Sequence, residues 1–206
     1  YFNAFITRWP TVQALAAAED SDVMAAWAGL GYYARARNLL ACARAVAAQG
    51  GAFPPAEAGL RALPGVGAYT AAAVAAIAFG ERAVVVDANV ERVVTRLFAI
   101  EQPLPAARAA IRAATDSLTP ERRAGDFAQA MMDLGATICT VRSPRCLLCP
   151  LAAYCKAHAL GREDTFPVKA AKAAKPLRHG RAFWIARGGR GWLERRAPKG
   201  MLGGMR

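Results

Sequence analysis

The stretch LPGVGAYT, residues 63–70, lies between two alanine-rich runs that both read as helix. Gly65 and Gly67 tolerate positive φ, and around Val66 they leave backbone N–H groups that few Cβ atoms cover. A helix starting at once after the turn adds its own unpaired N–H groups and the positive end of its dipole. Such a turn can seat a phosphate, and it can equally be an ordinary interhelical connection. Tyr69, at the start of the second helix, is the residue whose presence has to be explained.

Working outward, the periodicity is helical nearly everywhere up to residue 160. Asp20 or Ser21 is expected to cap VMAAWAGL, which Gly31 closes. YYARARNLLACARAVAAQ follows, with Leu39, Cys42, Ala43 and Val46 on one face. A short helix over 55–62 leads into the turn, and the next runs over 69–79. AVVVD is a brief extended piece; ANVERVVTRLF then places Val90, Val93, Val94 and Leu97 at helical spacing. Two further helices are expected over 105–117 and 126–138. The fold class is therefore all-α, with helical subdomains over 1–84 and 85–164. TFPVKAAKAAKPLRHG reads as a linker, spanning 165–180. Residues 181–206 read as two strands around a Gly-rich turn, the start of a second, β-rich domain.

The 206 residues carry 27 Lys+Arg against 15 Asp+Glu, a formal charge of +12. So basic a chain points to a polyanionic partner, nucleic acid above all. Every lysine lies at or after Lys156, so residues 1–155 are basic through arginine alone. No apolar run is long enough to cross a bilayer and no signal peptide is visible, so a cytoplasmic, nucleoid-associated monomer is expected, with no membrane contact. The chain starts at Tyr1 without an initiator Met and ends at LGGMR, so both ends read as cut.

Cys139, Cys146, Cys149 and Cys155 form a C-x6-C-x2-C-x5-C array. Four thiolates this close suit an iron–sulfur cluster or a tetrahedral zinc. Zinc sites more often pair two C-x2-C units across a longer loop, and a disulfide framework goes with secretion, of which there is no sign. Cys42, on an apolar helix face, reads as a core residue.

LPGVG, then VDANVERV, then the cysteine array resembles the helix-hairpin-helix DNA glycosylases of the endonuclease III superfamily. GLGYYARARNL (29–39) and AQAMMDLGATIC (128–139) look like its adenine DNA glycosylase (MutY) branch. The resemblance implies a 4Fe–4S cluster on the four cysteines and double-stranded DNA with an adenine mispaired with 8-oxoguanine or guanine as partner. It implies backbone phosphate contacts at Gly65, Val66 and Gly67. Arg142 and Arg145 would press the cluster loop on the DNA, with Arg35 and Arg37 on further phosphates. Tyr32 would be inserted beside the oxidised guanine, and Tyr33 is expected to pack in the core.

Asp87 opens the helix ANVERVV, where the dipole favours its anion. A carboxylate there can support the oxocarbenium-like sugar formed as a C1′–N bond breaks, and the resemblance assigns Asp87 that role, with Asn89 orienting it. Lyase relatives carry at the Tyr69 position a lysine that forms a Schiff base. A phenol forms no imine, and residues 1–155 offer no other lysine, so base removal without strand cleavage is expected. The family's general-acid glutamate falls upstream of Tyr1, and no acidic residue lies between Tyr1 and Ala18. This chain is thus expected to be cut before its general acid, to bind DNA and to excise adenine very poorly. RAFWIARGGRGWLERRAPKGMLGGM resembles the opening strands of a MutT-like domain, here truncated. Alternatives are a bifunctional glycosylase/lyase, a non-catalytic binding module with a structural or redox cluster, and a zinc-bound adaptor.

Overall fold

The computed structural model describes residues 1–171, 176–177, 181 and 183–194. The chain divides into two units, Tyr1–Ala170 and Ala171–Arg206. In the first unit the helices run α1 (Phe2–Arg8), α2 (Val12–Ala16), α3 (Asp20–Ala26), α4 (Ala34–Ala48) and α5 (Glu57–Arg61). They continue as α6 (Ala68–Ala78), α7 (Ala88–Phe98), α8 (Arg108–Leu118), α9 (Ala124–Thr137) and α10 (Lys156–Ala159), with three short 3₁₀ turns after Cys139.

Two hydrophobic clusters hold this unit together. The first joins α4, α5 and α6 through Cys42, Val46, Leu60, Leu63 and the fully covered alanines of α6, Ala71, Ala72 and Ala75. With side chains this small, neighbouring backbones come close and pack without large knobs. The second joins α7, α8 and α9 through Val90, Val93, Val94, Ile111 and Met131. α9 serves both, giving Ala128 to the first cluster and Met131 to the second. Where it crosses α7, a Cβ on Gly135 would stand 2.6 Å from the Asn89 Cβ, so only glycine lets the two helices meet there.

α7 falls on the predicted residues, and Val90, Val93, Val94 and Leu97 are buried as their spacing requires. Elsewhere the structure corrects details. α3 begins at Asp20 with Glu19 at its N-cap, and neither Asp20 nor Ser21 caps it; the Asp20 carboxylate instead accepts from Arg44 at 2.8 Å. On α4 the buried residue is Leu40, whereas Leu39 is 38% exposed. α8 starts at Arg108 and α9 at Ala124, and α1 and α2 have no counterpart in the sequence reading. AVVVD belongs to no helix and no strand. Cys42 is buried, and burial raises its thiol pKa, as a core residue requires.

At the head of the expected 165–180 linker, Phe166 is buried and the chain runs beside Leu104, whose N–H donates to the Val168 carbonyl at 2.9 Å. Residues 172–175 and 178–180 of that linker lie outside the described residues, as do 182 and 195–206 of the expected C-terminal segment. In the second unit, β1 (Ala186–Arg187) and β2 (Arg190–Gly191) pair antiparallel. The turn between them, Gly188–Gly189, has positive φ at both positions, as a tight two-residue hairpin demands.

Candidate active site and cluster loop

The turn between α5 and α6 uses positive φ at Gly65 alone, whereas Gly67 is extended at φ −81°. Gly65 has φ +73°, and a Cβ on it would stand 2.4 Å from the Asn38 Cβ of α4. Leu63 is buried and Val66 packs against the same cluster. The Val66 N–H donates to the Leu63 carbonyl at 3.2 Å, so of the three expected phosphate donors its amide is already used inside the turn. α6 starts at Ala68 after Gly67, whose lack of a side chain leaves the helix uncapped. Its first-turn N–H groups point out of the helix without intrahelical acceptors.

Tyr69 lies in that first turn, 44% exposed, its hydroxyl 3.5 Å from the Met132 Sδ of α9. It shares a cavity of about 550 Å³ with Val84, Val86, Asp87, Glu91, Arg108 and Arg112. Asp87 is the N-cap of α7. Its Oδ1 accepts from the Val90 N–H at 2.7 Å, and its Oδ2 from Asn89 Nδ2 at 3.0 Å. Both carboxylate oxygens are thereby fixed at the positive end of a helix. Glu91, one turn on, is paired with Arg108 at 3.1 Å. The sequence reading passed over Glu91, although its i+4 spacing from Asp87 marks it as facing the same way.

It also passed over the two residues that tie this site to the cysteines. Arg92 is buried and donates to the Cys139 carbonyl (2.7 Å), the Gly135 carbonyl (2.6 Å) and Asn89 Oδ1 (2.8 Å). Burial pulls its pKa below the ordinary arginine value. Arg96, one turn later and 2% exposed, donates to the carbonyls of Glu163 (2.8 Å) and Thr140 (2.7 Å). Its Nη1 lies 3.3 Å from Cys139 Sγ. The available signal was two arginines four apart in a helix whose valines are core. A guanidinium keeps its charge, so when buried it must be met by several acceptors at once, and here backbone carbonyls of the cysteine loop supply them.

All five cysteines are free thiols, which removes the disulfide alternative. Cys139, Cys146, Cys149 and Cys155 are half-buried around a loop of tight turns. Burial pushes the Cys146 thiol up to about 11, with the Glu163 hydrogen bond and the neighbouring Cys139 and Cys155 adding to it. Burial raises Cys155 as well, against backbone N–H groups that favour its anion. One zinc ion bound at ~2.3 Å by four thiolates would draw them to about 3.8 Å apart. Among the described residues, the set of three ligand atoms mutually within 4.8 Å is Cys146, His158 and Glu163, not a trio of thiols. The all-thiol donor set fits an iron–sulfur cluster as it fits zinc.

The remaining predicted residues stand apart from the cavity. Tyr32 is 84% exposed just before α4, and Tyr33, expected in the core, is half-buried. Arg35 is exposed over the Trp27 ring and Arg37 is half-buried. Arg142 and Arg145 are exposed on the cluster loop, Arg145 reaching back to donate to the Thr137 carbonyl.

Residues 139–155 match the iron–sulfur binding domain of endonuclease III, which decides for a 4Fe–4S cluster over zinc; the four thiols would hold it. An adenine DNA glycosylase of Mycolicibacterium smegmatis is 44% identical over 161 residues, 78% of this chain and 55% of that protein. A human adenine DNA glycosylase is 43% identical over 162 residues, 77% of this chain and 30% of that protein. The chain thus spans about half, or less, of these relatives' length. Among solved structures, a thermostable thymine-DNA glycosylase aligns with TM-score 0.70 and 30% identity, over 77% of this chain and 75% of that one. A non-covalent endonuclease III–DNA complex aligns at 0.67 and 25%, over 78% and 75%. Residues 1–118, which include the glycine turn, Tyr69 and Asp87, match the model of the HhH-GPD superfamily base excision DNA repair proteins, and the chain belongs to that family.

Proposed function

We propose that the chain is the catalytic part of a monofunctional adenine DNA glycosylase, acting as a monomer in the bacterial cytoplasm on adenine mispaired with 8-oxoguanine or guanine. The observation that carries this reading is the shared cavity of Tyr69 and Asp87, in which both Asp87 oxygens are held by hydrogen bonds. The adenine DNA glycosylases among the relatives support it.

Adenine inside a duplex is beyond reach, so the nucleotide is extruded towards the cavity, and exposed Tyr32 fills the stack it leaves. The Gly65–Gly67 turn and the first-turn amides of α6 hold a phosphate, and Arg142 and Arg145 hold the backbone elsewhere; these contacts position the duplex without reading its sequence. As the glycosidic bond breaks, adenine leaves with the bonding pair and takes a proton from water, and positive charge grows on the sugar. Asp87, already oriented by Asn89 and Val90, stabilises it without reorganising. A water oxygen then adds at C1′ and loses its proton, leaving an abasic site. Tyr69 stands where a lyase needs an amine, and residues 1–155 contain no lysine, so the backbone stays whole. The cluster, when bound, ties four points of the chain into one rigid loop.

The test is a duplex with adenine opposite 8-oxoguanine, incubated with excess protein and read with and without alkali, which breaks abasic sites. Breaks only after alkali are expected, formed slowly by this chain. Breaks without alkali would mean a lyase, and no breaks with duplex bound would mean a binding module in which Asp87 is a helix cap and nothing more.

A further inference from the structure

The segment leading into α4 carries three left-handed φ values: Gly29 at +92°, Gly31 at +68° and Tyr32 at +47°. Glycine reaches such angles without strain, whereas a tyrosine does so at a cost that its surroundings must offset. Burial does not offset it, because the Tyr32 side chain is 84% exposed. One restraint does act directly. Trp27 Nε1–H donates to the Gly31 carbonyl at 2.9 Å. That carbonyl belongs to the peptide plane that ends in the Tyr32 nitrogen, so holding it limits rotation into the Tyr32 φ.

Trp27 is itself well anchored. Phe5 meets its ring edge-on at 5.8 Å and 89°, and the Arg35 guanidinium lies 5.4 Å from its centroid. On the far side of Tyr32, the Arg35 N–H donates to the Tyr32 carbonyl at 2.8 Å. The peptide groups before and after Tyr32 are thus both held, while its ring projects into solvent.

We propose that Trp27 is a positioning residue: its indole N–H, through the Gly31 carbonyl, presets the left-handed turn that projects Tyr32 for insertion into the DNA stack. This deepens the glycosylase reading and rests on the role given there to Tyr32. A ring already held in its bound pose loses less freedom on insertion, which is the usual gain from preorganisation.

Trp27→Phe keeps a ring between Phe5 and Arg35 and removes only the donor, so two readouts isolate its effect. Without DNA, chymotryptic cleavage after Tyr32 should accelerate about fivefold to tenfold while Tm falls by only about 2–4 °C, the loss of one hydrogen bond. With DNA, Trp27→Phe should weaken binding to the adenine:8-oxoguanine duplex by a similar factor and matched duplex hardly at all. Combined with Tyr32→Ala, it should weaken mispair binding no further than Tyr32→Ala alone. Unchanged cleavage after Tyr32, or losses that add in the double variant, would overturn the proposal. If the wild-type chain binds no duplex while cleavage still accelerates in Trp27→Phe, the DNA reading fails and the Trp27 restraint stands.

Discussion

The Asn89 side-chain amide donates to Asp87 Oδ2 at 3.0 Å, and the other end of the same amide accepts from Arg92 at 2.8 Å. Asn89 therefore cannot flip without putting like atoms against each other at both ends. Its orientation is set from the buried arginine side, and the carboxylate inherits it.

Asn89→Leu should leave the Asp87–Val90 cap intact, since that bond uses the other oxygen. Stability should fall by about 1 kcal/mol, while single-turnover adenine excision falls roughly tenfold to a hundredfold. Thermal unfolding and a quenched-time-course glycosylase assay, run on the same preparation, check the two numbers separately.

Arg96→Met removes the donor to the Thr140 and Glu163 carbonyls and the positive charge beside Cys139 Sγ. Several buried acceptors lose their partner together, so the expected cost is about 3 kcal/mol. The protein should be isolated with less cluster, read from visible absorbance per polypeptide. Arg96→Lys should not restore it, because an ammonium cannot reach acceptors spread over a planar fork.

Cluster loading should depend on pH through Cys146. Its thiol is pushed up to about 11, so near neutrality it holds a proton that a metal must displace. Raising the pH from 7 towards 9 increases the thiolate fraction, and reconstitution of the cluster-free protein with iron and sulfide should proceed further. The stability of the fold without metal added has the opposite sign. A thiol pKa raised on folding stabilises the fold below the ordinary value of 9.0, and that contribution is lost as pH rises through about 11. Iron content and unfolding midpoints across this range check both signs.

Gly65→Ala meets a positive φ and an Asn38 Cβ 2.4 Å away. It should cost about 2 kcal/mol and weaken binding to matched and mispaired duplex alike, since a phosphate contact carries no sequence information. A selective loss on the mispaired duplex would contradict that role for the turn.

What could be read from the sequence depended on contrast and on distance along the chain. α7 was legible because valines and charged residues alternate sharply at helical spacing, and Asp87 and Asn89 because their partners lie within three residues. On α4, alanines blur the pattern, so Leu39 and Leu40 exchanged places. α1 and α2 are too short to show a period. Arg92 and Arg96 were hidden for a different reason. A charged residue on an amphipathic helix reads as solvent-facing, and their acceptors at Gly135, Cys139 and Glu163 lie 43 to 67 residues away.

The most direct test is Asp87→Asn, measured in single turnover on adenine opposite 8-oxoguanine. An amide keeps the cap to Val90 through its carbonyl oxygen and loses the bond from Asn89, whose NH2 then faces another NH2. Stability should therefore fall by about 1 kcal/mol while cluster content and duplex binding are preserved. The oxocarbenium-like sugar loses its counter-charge, and the rate of alkali-dependent breaks, slow already in this chain, should fall below detection. Excision at the wild-type rate by a folded, DNA-bound Asp87→Asn protein would contradict the glycosylase mechanism and reduce Asp87 to a helix cap.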